Sequence, residues 1–180
     1  MPSRRTSRVV LRPPTPRDRD DYLAAMRASR SLHKPWLAPP ATPEDFDALV
    51  QRARAQEFEP MLVRRREDGA IVGFFNISQI IRGPLQSAFL GYGGVAGYTG
   101  QGYMTEGMEL VLERAFTELA LHRLEANIQP ANAASIALAQ RCGFVREGFS
   151  ERYLKVGGRW RDHEHWAIHA ELWRSRRRRQ

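Results

Sequence analysis

The chain has 180 residues, of which 42% are hydrophobic, so it holds enough apolar material for one folded core. Its formal net charge is +8 and is carried almost entirely by arginine, because Lys34 and Lys155 are the only lysines. Spanning a bilayer takes roughly 20 apolar residues, and no run approaches that length. Residues 1–12 lack the apolar stretch of a signal peptide, and the single Cys142 excludes an internal disulfide. We therefore expect a cytoplasmic protein with no membrane contact. The basic residues either form a solvated surface or attract the phosphate groups of a partner.

The N-terminal half is predicted to place a strand and two helices before a run of strands. Residues 9–11 form the opening strand, and Thr15-Pro16 begins the first helix. The proline-rich segment 33–40 cannot be helical, and a second helix begins at Thr42-Pro43. The tight-turn pair Asp68-Gly69 indicates an antiparallel meander. Its three strands are predicted over residues 60–66, 70–81 and 87–95.

The C-terminal half is predicted to add two helices and three strands. The second of these helices closes at Gly143, which suits a left-handed C-terminal position. The last two strands form a hairpin that turns at Gly157-Gly158. Five arginines in residues 174–180 repel one another and predict a mobile tail after a domain of residues 1–173. The helices are predicted over residues 103–119 and 132–141, and the strands over residues 122–129, 144–156 and 159–171.

The order β-α-α-β-β-β-α-β-α-β-β predicts a single α+β domain, sandwich-like in its layers. We expect one mixed, mostly antiparallel sheet of about seven strands, with about four helices.

A glycine-rich turn within residues 95–106 joins a strand to the third helix. Gly100 and Gly102 remove side chains where the backbone must approach a ligand, and the helix start offers unpaired N–H groups and a positive dipole end. A turn that only caps the helix is the alternative, because Thr105 breaks the dinucleotide fingerprint and no Gly-Lys-Ser/Thr is present. The spacing favours a pyrophosphate cradle made by the backbone of Gly100, Gln101, Gly102, Tyr103, Met104 and Thr105.

With this turn in place, the chain from about Val9 to Leu172 resembles a GNAT-fold acetyltransferase. That family opens its third helix with (Gln/Arg)-x-x-Gly-x-(Gly/Ala). Here the corresponding six residues are Thr99 to Met104. Gly102 matches the motif glycine, whereas Thr99 replaces Gln/Arg and Met104 replaces Gly/Ala. Segments similar to the ribosomal-protein-alanine acetyltransferase branch are Leu90-Gly-Tyr92, His122-Arg-Leu124, Pro130-Ala-Asn132, Cys142-Gly-Phe144 and Glu147-Gly148. Segments similar to RimJ-type enzymes are Lys34-Pro-Trp36, Ile81-Arg-Gly83 and Trp160-Arg-Asp-His163.

The resemblance implies acetyl-CoA as co-substrate and transfer of its acetyl group to an amine, here the N-terminal alanine of a small-subunit ribosomal protein. It also implies that Asn132, paired with Ser135 at the start of a helix, contacts the pantetheine arm. The alternative for Asn132 is a helix cap, and both roles are compatible. Trp36 lies in the broken segment where this fold admits its acceptor, although a core or lid aromatic is equally compatible.

Acetyl transfer needs a neutral amine, an oxyanion donor and a proton for the thiolate. A protein α-amine has a pKa of about 8, so a strong base is not required. The family's usual glutamate base and tyrosine acid fall at Phe89 and Ala139, which cannot titrate. Ser135 and Tyr153 remain as the catalytic candidates. The backbone N–H groups of Gly93, Gly94 and Val95 are the predicted oxyanion donors.

Other interpretations concern metals, other acceptors and a loss of catalysis. His163, His165 and His169 share one strand face, but His169 is roughly 13 Å from His165, so we expect no metal. A polyamine, aminoglycoside or amino acid could replace the protein acceptor, and a basic ribosome- or RNA-binding scaffold without catalysis is the other alternative. The acidic residues that a polycationic acceptor would need are Asp18, Asp20, Asp21, Glu44, Asp45 and Asp47.

Overall fold

A seven-stranded sheet in the order β1-β2-β3-β4-β5-β7-β6 runs through the protein, whose computed structural model describes residues 6–179. Neighbouring strands are antiparallel except β4 and β5, which are parallel. The expected mixed, mostly antiparallel sheet is thus confirmed. The strands are β1 (Val9–Arg12), β2 (Phe58–Arg65), β3 (Ile71–Ile81), β4 (Ser87–Gly94), β5 (Arg123–Ile128), β6 (Val145–Val156) and β7 (Arg159–His169).

Helices cover both faces of this sheet and enclose two hydrophobic clusters. Met108, Leu138 and Trp173 belong to the larger cluster, which lies against one face. Tyr22 and Phe46 meet Phe74 of β3 in the smaller cluster on the other face. Burial on both sides explains the nearly continuous apolar runs of β2 and β3. The helices are α1 (Arg19–Ala28), α2 (Arg30–His33), α3 (Pro43–Arg52), α4 (Tyr103–Glu113), α5 (Ala133–Arg141) and α6 (Ala170–Arg177).

Local signals set most of the helix boundaries. Pro16 begins a 3-10 turn that leads into α1, and Thr42 caps α3 by accepting a hydrogen bond from the backbone N–H of Asp45 at 3.2 Å. Helix α4 continues into a π-helical turn over residues 114–118. The four expected helices are confirmed in order, and α2 and α6 are additional. None of the helices among residues 6–179 combines the length and apolarity needed to cross a membrane.

Helix α6 crosses the predicted boundary at residue 173, so the arginine-rich tail begins inside a helix rather than after the last strand. Arg176 donates hydrogen bonds to the carbonyl oxygens of Arg141, at 3.0 Å, and Cys142. Arg177 pairs with Glu113 at 3.1 Å. These acceptors offset the like-charge repulsion on which the tail prediction was based.

Strands β4 and β5 separate in the middle of the sheet, and this separation positions the site. Within the described chain the two strands pair at only three positions, from Ser87–Arg123 to Phe89–Glu125. Beyond these pairs, β4 continues to Gly94 and β5 to Ile128. The edges of both strands therefore face an opening rather than each other.

Candidate active site

A cavity of about 240 Å³ lies where β4 and β5 separate. It is bordered by β3, by both separated strands, by β7, by the start of α5 and by the 36–40 segment. Among the described residues that line it, none is a carboxylate and the one titratable imidazole is His163. The lining residues are Trp36, Leu37, Ala38, Pro39, Pro40, Phe74, Asn76, Leu90, Gly91, Tyr92, Ala126, Asn127, Ile128, Gln129, Asn132, Ser135 and His163.

The turn before α4 has the geometry expected of an anion cradle. Gly100 and Gly102 have φ angles of +73° and +85°, which L residues with side chains rarely adopt. Gly102 occupies the N-cap position, and no side chain caps the helix. The N–H of Glu106 donates to the Gly102 carbonyl at 3.1 Å, so the N–H groups of residues 103–105 have no partner within the helix. Three backbone donors and the dipole end thus suit a phosphate.

Two arginines border this turn. Arg8 donates to the Gln101 carbonyl at 2.8 Å and forms an ion pair with Glu106 at 2.5 Å. Burial alone would raise the pKa of the Glu106 carboxyl, but its hydrogen bonds from Arg8 hold the pKa below the ordinary value. Arg141 donates to the Thr105 hydroxyl at 3.2 Å. The Glu106 carboxylate is therefore neutralised, and a second guanidinium stays beside the turn.

Met104 departs from the family pattern, and β3 accommodates it. Its side chain lies against Gly73, where a Cβ would come within 2.2 Å of the Met104 Sδ. The same Cβ would be 2.9 Å from the backbone oxygen of Gly93. The absence of a side chain at residue 73 therefore leaves room for the larger residue at 104.

Only part of the predicted oxyanion strand faces the opening. The N–H of Val95 donates to the Val72 carbonyl at 3.0 Å, so the prediction of Val95 as an oxyanion donor is wrong. Hydrogen bonds alternate along an antiparallel pair, so the N–H of Gly93 is directed to β3 as well. Gly94 is directed to the other side, where His33 Nε2 lies 2.7 Å from its carbonyl oxygen. Gly94 is the donor that remains of the three.

His33, a residue that sequence reasoning passed over, anchors α2 to β4. It is buried, and donation to the Gly94 carbonyl requires the hydrogen on Nε2. Its Nδ1 has no hydrogen-bond partner among the described residues. The hydrogen bond holds the backbone of Gly94, the one predicted oxyanion donor that remains.

The start of α5 brings two of the predicted residues to the cavity. Asn132 caps the helix by accepting a hydrogen bond from the Ser135 N–H at 3.2 Å, and both side chains border the cavity. The cap interpretation of Asn132 is confirmed, and its position still permits contact with a ligand. Tyr92 of β4 donates its hydroxyl to the Ser135 carbonyl at 3.1 Å, and burial raises the pKa of that hydroxyl. The phenol therefore stays protonated and holds α5 against β4.

Tyr153 is not brought to the cavity. Its side chain is 36% exposed, and its ring packs on His165 with 4.7 Å between centroids. The register of β6 shifts between Ser150 and Leu154, which sets Tyr153 above the histidines of β7. Trp36, by contrast, borders the cavity, and Gln129 donates to its carbonyl oxygen at 3.2 Å.

His163 is the cavity residue whose chemistry was not anticipated, because it was considered only as a metal ligand and that role was rejected. It is 3% exposed, and its Nδ1 lies 2.9 Å from the Arg161 carbonyl oxygen. His165 instead uses both nitrogens, on Asn127 at 2.6 Å and on Ser150 at 2.8 Å. Within residues 6–179, no three His, Cys, Asp or Glu side chains cluster as metal ligands. The sequence carried no local signal for the position of His163, because it depends on the pairing of β7 with β5.

Comparison with known proteins agrees with this geometry. The family model of the acetyltransferase (GNAT) domain matches residues 8–145. The chain is 39% identical over 170 residues to the probable N-acetyltransferase YjcK of Bacillus subtilis, covering 89% of this chain and 93% of that protein. It is 33% identical over 107 residues to the [ribosomal protein uS5]-alanine N-acetyltransferase of Escherichia coli, covering 59% of this chain and 55% of the other.

Solved structures show the same architecture. RimJ of Mycobacterium smegmatis, in complex with CoA-disulfide, superposes with a TM-score of 0.83 at 32% identity, over 91% of this chain and 82% of that one. A spermidine N-acetyltransferase of Vibrio cholerae, with a TM-score of 0.79 at 19% identity over 93% and 99% of the two chains, shares the fold alone. The chain thus belongs to the GNAT acetyltransferase family and is an acyltransferase.

Proposed function

We propose that this enzyme transfers the acetyl group of acetyl-CoA to the N-terminal α-amine of a protein that begins with alanine or another small residue. The observation that carries the proposal is the lining of the cavity, which holds no carboxylate among the described residues. A single ammonium that becomes neutral on reaction suits such a site. A polycation would leave further charges unpaired there.

The two regions described above supply complementary parts of the binding site. The backbone N–H groups at the start of α4 would bind the pyrophosphate, and the pantetheine arm would pass Asn132 toward the cavity. The Gly94 N–H would donate to the thioester oxygen as negative charge develops on it. Ser135, which borders the same cavity, would supply a proton to the departing thiolate.

The acceptor would enter along the 36–40 segment. Gln129 holds this segment through the carbonyl oxygens of Pro35 and Trp36, at 3.4 and 3.2 Å. The Trp36 ring can pack on the second and third residues of the peptide. A cavity of about 240 Å³ leaves room for a small first side chain beside the acetyl group.

Three of the six acidic residues that kept a polyamine acceptor open have other partners. Asp18 pairs with Arg64 at 2.5 Å, and Asp47 pairs with Arg19 at 3.1 Å. Asp45 accepts hydrogen bonds at the start of α3. Because none of them lines the cavity, the observations favour a protein amine over a polyamine.

A ribosomal protein is the acceptor we favour. The Escherichia coli relative is named for uS5-alanine acetylation. The net charge of +8 would also draw the enzyme toward ribosomal RNA. Arg174 and Arg178 are exposed and available for such contact, whereas Arg176 is engaged with backbone carbonyls. This attraction should weaken with added salt, because phosphate contacts release counterions.

The test compares acceptors at equal acetyl-CoA concentration. We expect acetylation of a short peptide with a free N-terminal alanine, slower reaction when the first residue is leucine, and none when the N-terminus is blocked. Spermidine and an aminoglycoside complete the set. A turnover efficiency ten times higher for either small amine would reject the protein acceptor and leave the acyltransferase assignment untouched.

A further inference from the structure

The wall of the cavity contributed by β7 holds one side chain that can accept a proton. His163 is 3% exposed and borders the same cavity as Ser135. The usual base position of the family holds Phe89, which cannot titrate. The proton carried by an incoming ammonium therefore needs another acceptor.

The backbone sets the tautomer of His163. Its Nδ1 lies 2.9 Å from the Arg161 carbonyl oxygen, and a carbonyl can only accept, so the hydrogen is on Nδ1. The lone pair of the neutral ring is then on Nε2. That atom has no hydrogen-bond partner among the described residues and is not sealed from solvent.

We propose that His163 is the general base of this enzyme and takes a proton from the acceptor ammonium at Nε2. This proposal rests on the proposed function, because it requires an amine acceptor that binds in its protonated form. The ammonium nitrogen transfers one proton to Nε2, and the neutral amine forms a bond to the thioester carbonyl carbon. The C–S bond then breaks, the nitrogen passes its second proton to the Ser135 hydroxyl, whose own proton goes to the CoA thiolate, and Nε2 releases the first proton to water.

The surroundings keep the ring neutral at the pH where it must act. Burial lowers the pKa of His163, and the nearby charge of His165 lowers it further, whereas the Arg161 carbonyl and Asp162 raise it. From β6, the Tyr153 ring lies 6.1 Å away. Asn127 of β5, Gln129 directly after that strand and all of residues 36–40 are uncharged. The net shift is downward, so the base form predominates at neutral pH.

The other histidines near the site are less suited to this role. The free nitrogen of His33 is Nδ1, and His33 does not border the cavity. His165 has both nitrogens engaged. His163 is the histidine that combines a free lone pair with a place on the cavity wall.

The experiment replaces the base while retaining its structural hydrogen bond. The amide of His163→Asn can still donate to the Arg161 carbonyl but cannot accept a proton at neutral pH. We expect turnover efficiency at pH 7 to fall about 100-fold, a typical effect for a lost general base. At pH 9 the deficit should shrink below about tenfold, because an α-amine with a pKa near 8 is then mostly neutral. The matched control is His122→Gln, at an exposed histidine at the other end of β5, which should change neither value.

A second measurement does not depend on turnover. Nuclear magnetic resonance of ¹⁵N-labelled histidine in the wild type should show His163 as the Nδ1–H tautomer, with a pKa below the ordinary value for histidine. Equal loss of activity at pH 7 and pH 9, or unchanged activity, would overturn the proposal. The kinetic assay of His163→Asn uses whichever amine in the acceptor comparison reacts fastest. An error in the proposed acceptor would therefore appear in the acceptor comparison and would not change the result for His163.

Discussion

The turn before α4 and the cavity between β4 and β5 are built in opposite ways. The turn is one short segment in which backbone N–H groups are the proposed functional atoms, and the proposal needs side chains to be absent at Gly100 and Gly102. The cavity assembles side chains from segments as distant as Trp36 and His163. A site made from backbone is visible as a local pattern, whereas a site made from dispersed side chains depends on the whole topology.

This contrast predicts that the two regions fail differently when mutated. Changes at the turn should reduce cofactor affinity and leave the chemical step intact once the site is saturated. Changes in the cavity should slow the chemical step while acetyl-CoA still binds. The three substitutions below test that separation, in order of decreasing expected effect.

The largest effect is expected for Gly102→Val. A β-branched residue at φ +85° costs about 1–2 kcal/mol in backbone strain, and moving one phosphate donor costs about 1.5 kcal/mol more. Because the free turn can relax from this φ, cofactor binding must restore the strain as well as lose a donor, so we expect acetyl-CoA binding to weaken roughly 100-fold, measured by calorimetry. Gly83→Val is the matched control, because Gly83 has φ +69° and lies in the β3–β4 turn with open space around its Cα. Equal affinity in wild type and Gly102→Val would mean that the pyrophosphate binds elsewhere.

Ser135→Ala should have an intermediate effect, confined to the cavity. A thiolate is a moderately good leaving group, so loss of its proton donor should slow saturated turnover only about tenfold. The helix cap uses the backbone N–H of Ser135, not its hydroxyl, so stability and acetyl-CoA affinity should be retained. Single-turnover rates measured beside calorimetric affinities test this. Unchanged turnover would remove Ser135 from the mechanism.

Asn132→Asp should have the smallest effect, at the point where the two regions meet. Aspartate caps helices as well as asparagine does, so the melting temperature should stay the same. The lost amide N–H can no longer donate to the pantetheine arm, which should raise the KM for acetyl-CoA about fivefold, the value of one neutral hydrogen bond. If KM is unchanged while Asn132→Ala lowers the melting temperature, Asn132 acts as a cap alone.

Most of the fold could be predicted because its signals are local. Proline at helix starts, the Asp68-Gly69 turn and glycine at the end of α5 each mark a boundary within a few residues. Helix α6 was not predicted, because the contacts that stabilise it are distant in sequence. The partners of Arg176 lie 34 and 35 residues earlier in the chain, and local charge repulsion says nothing about them.

The site could be predicted where its residues depend on local spacing. The turn residues 100–105 and the cap at Asn132 follow from spacing. The engagement of the Val95 N–H depends on the register between β3 and β4, and the place of His163 depends on the pairing of β7 with β5. No pattern in a single strand contains either relationship.

The close contact between Gly73 and Met104 has a consequence for reading related sequences. Since a Cβ at residue 73 would overlap the Met104 sulfur, a large residue at the position of Met104 should occur together with glycine at the position of Gly73 among homologues. Gly or Ala at the position of Met104 removes the sulfur contact, although the Gly93 carbonyl oxygen at 2.9 Å still opposes a side chain at the position of Gly73. A motif search that pairs a large residue at the helix start with glycine in the neighbouring strand would then recover members that the standard pattern misses.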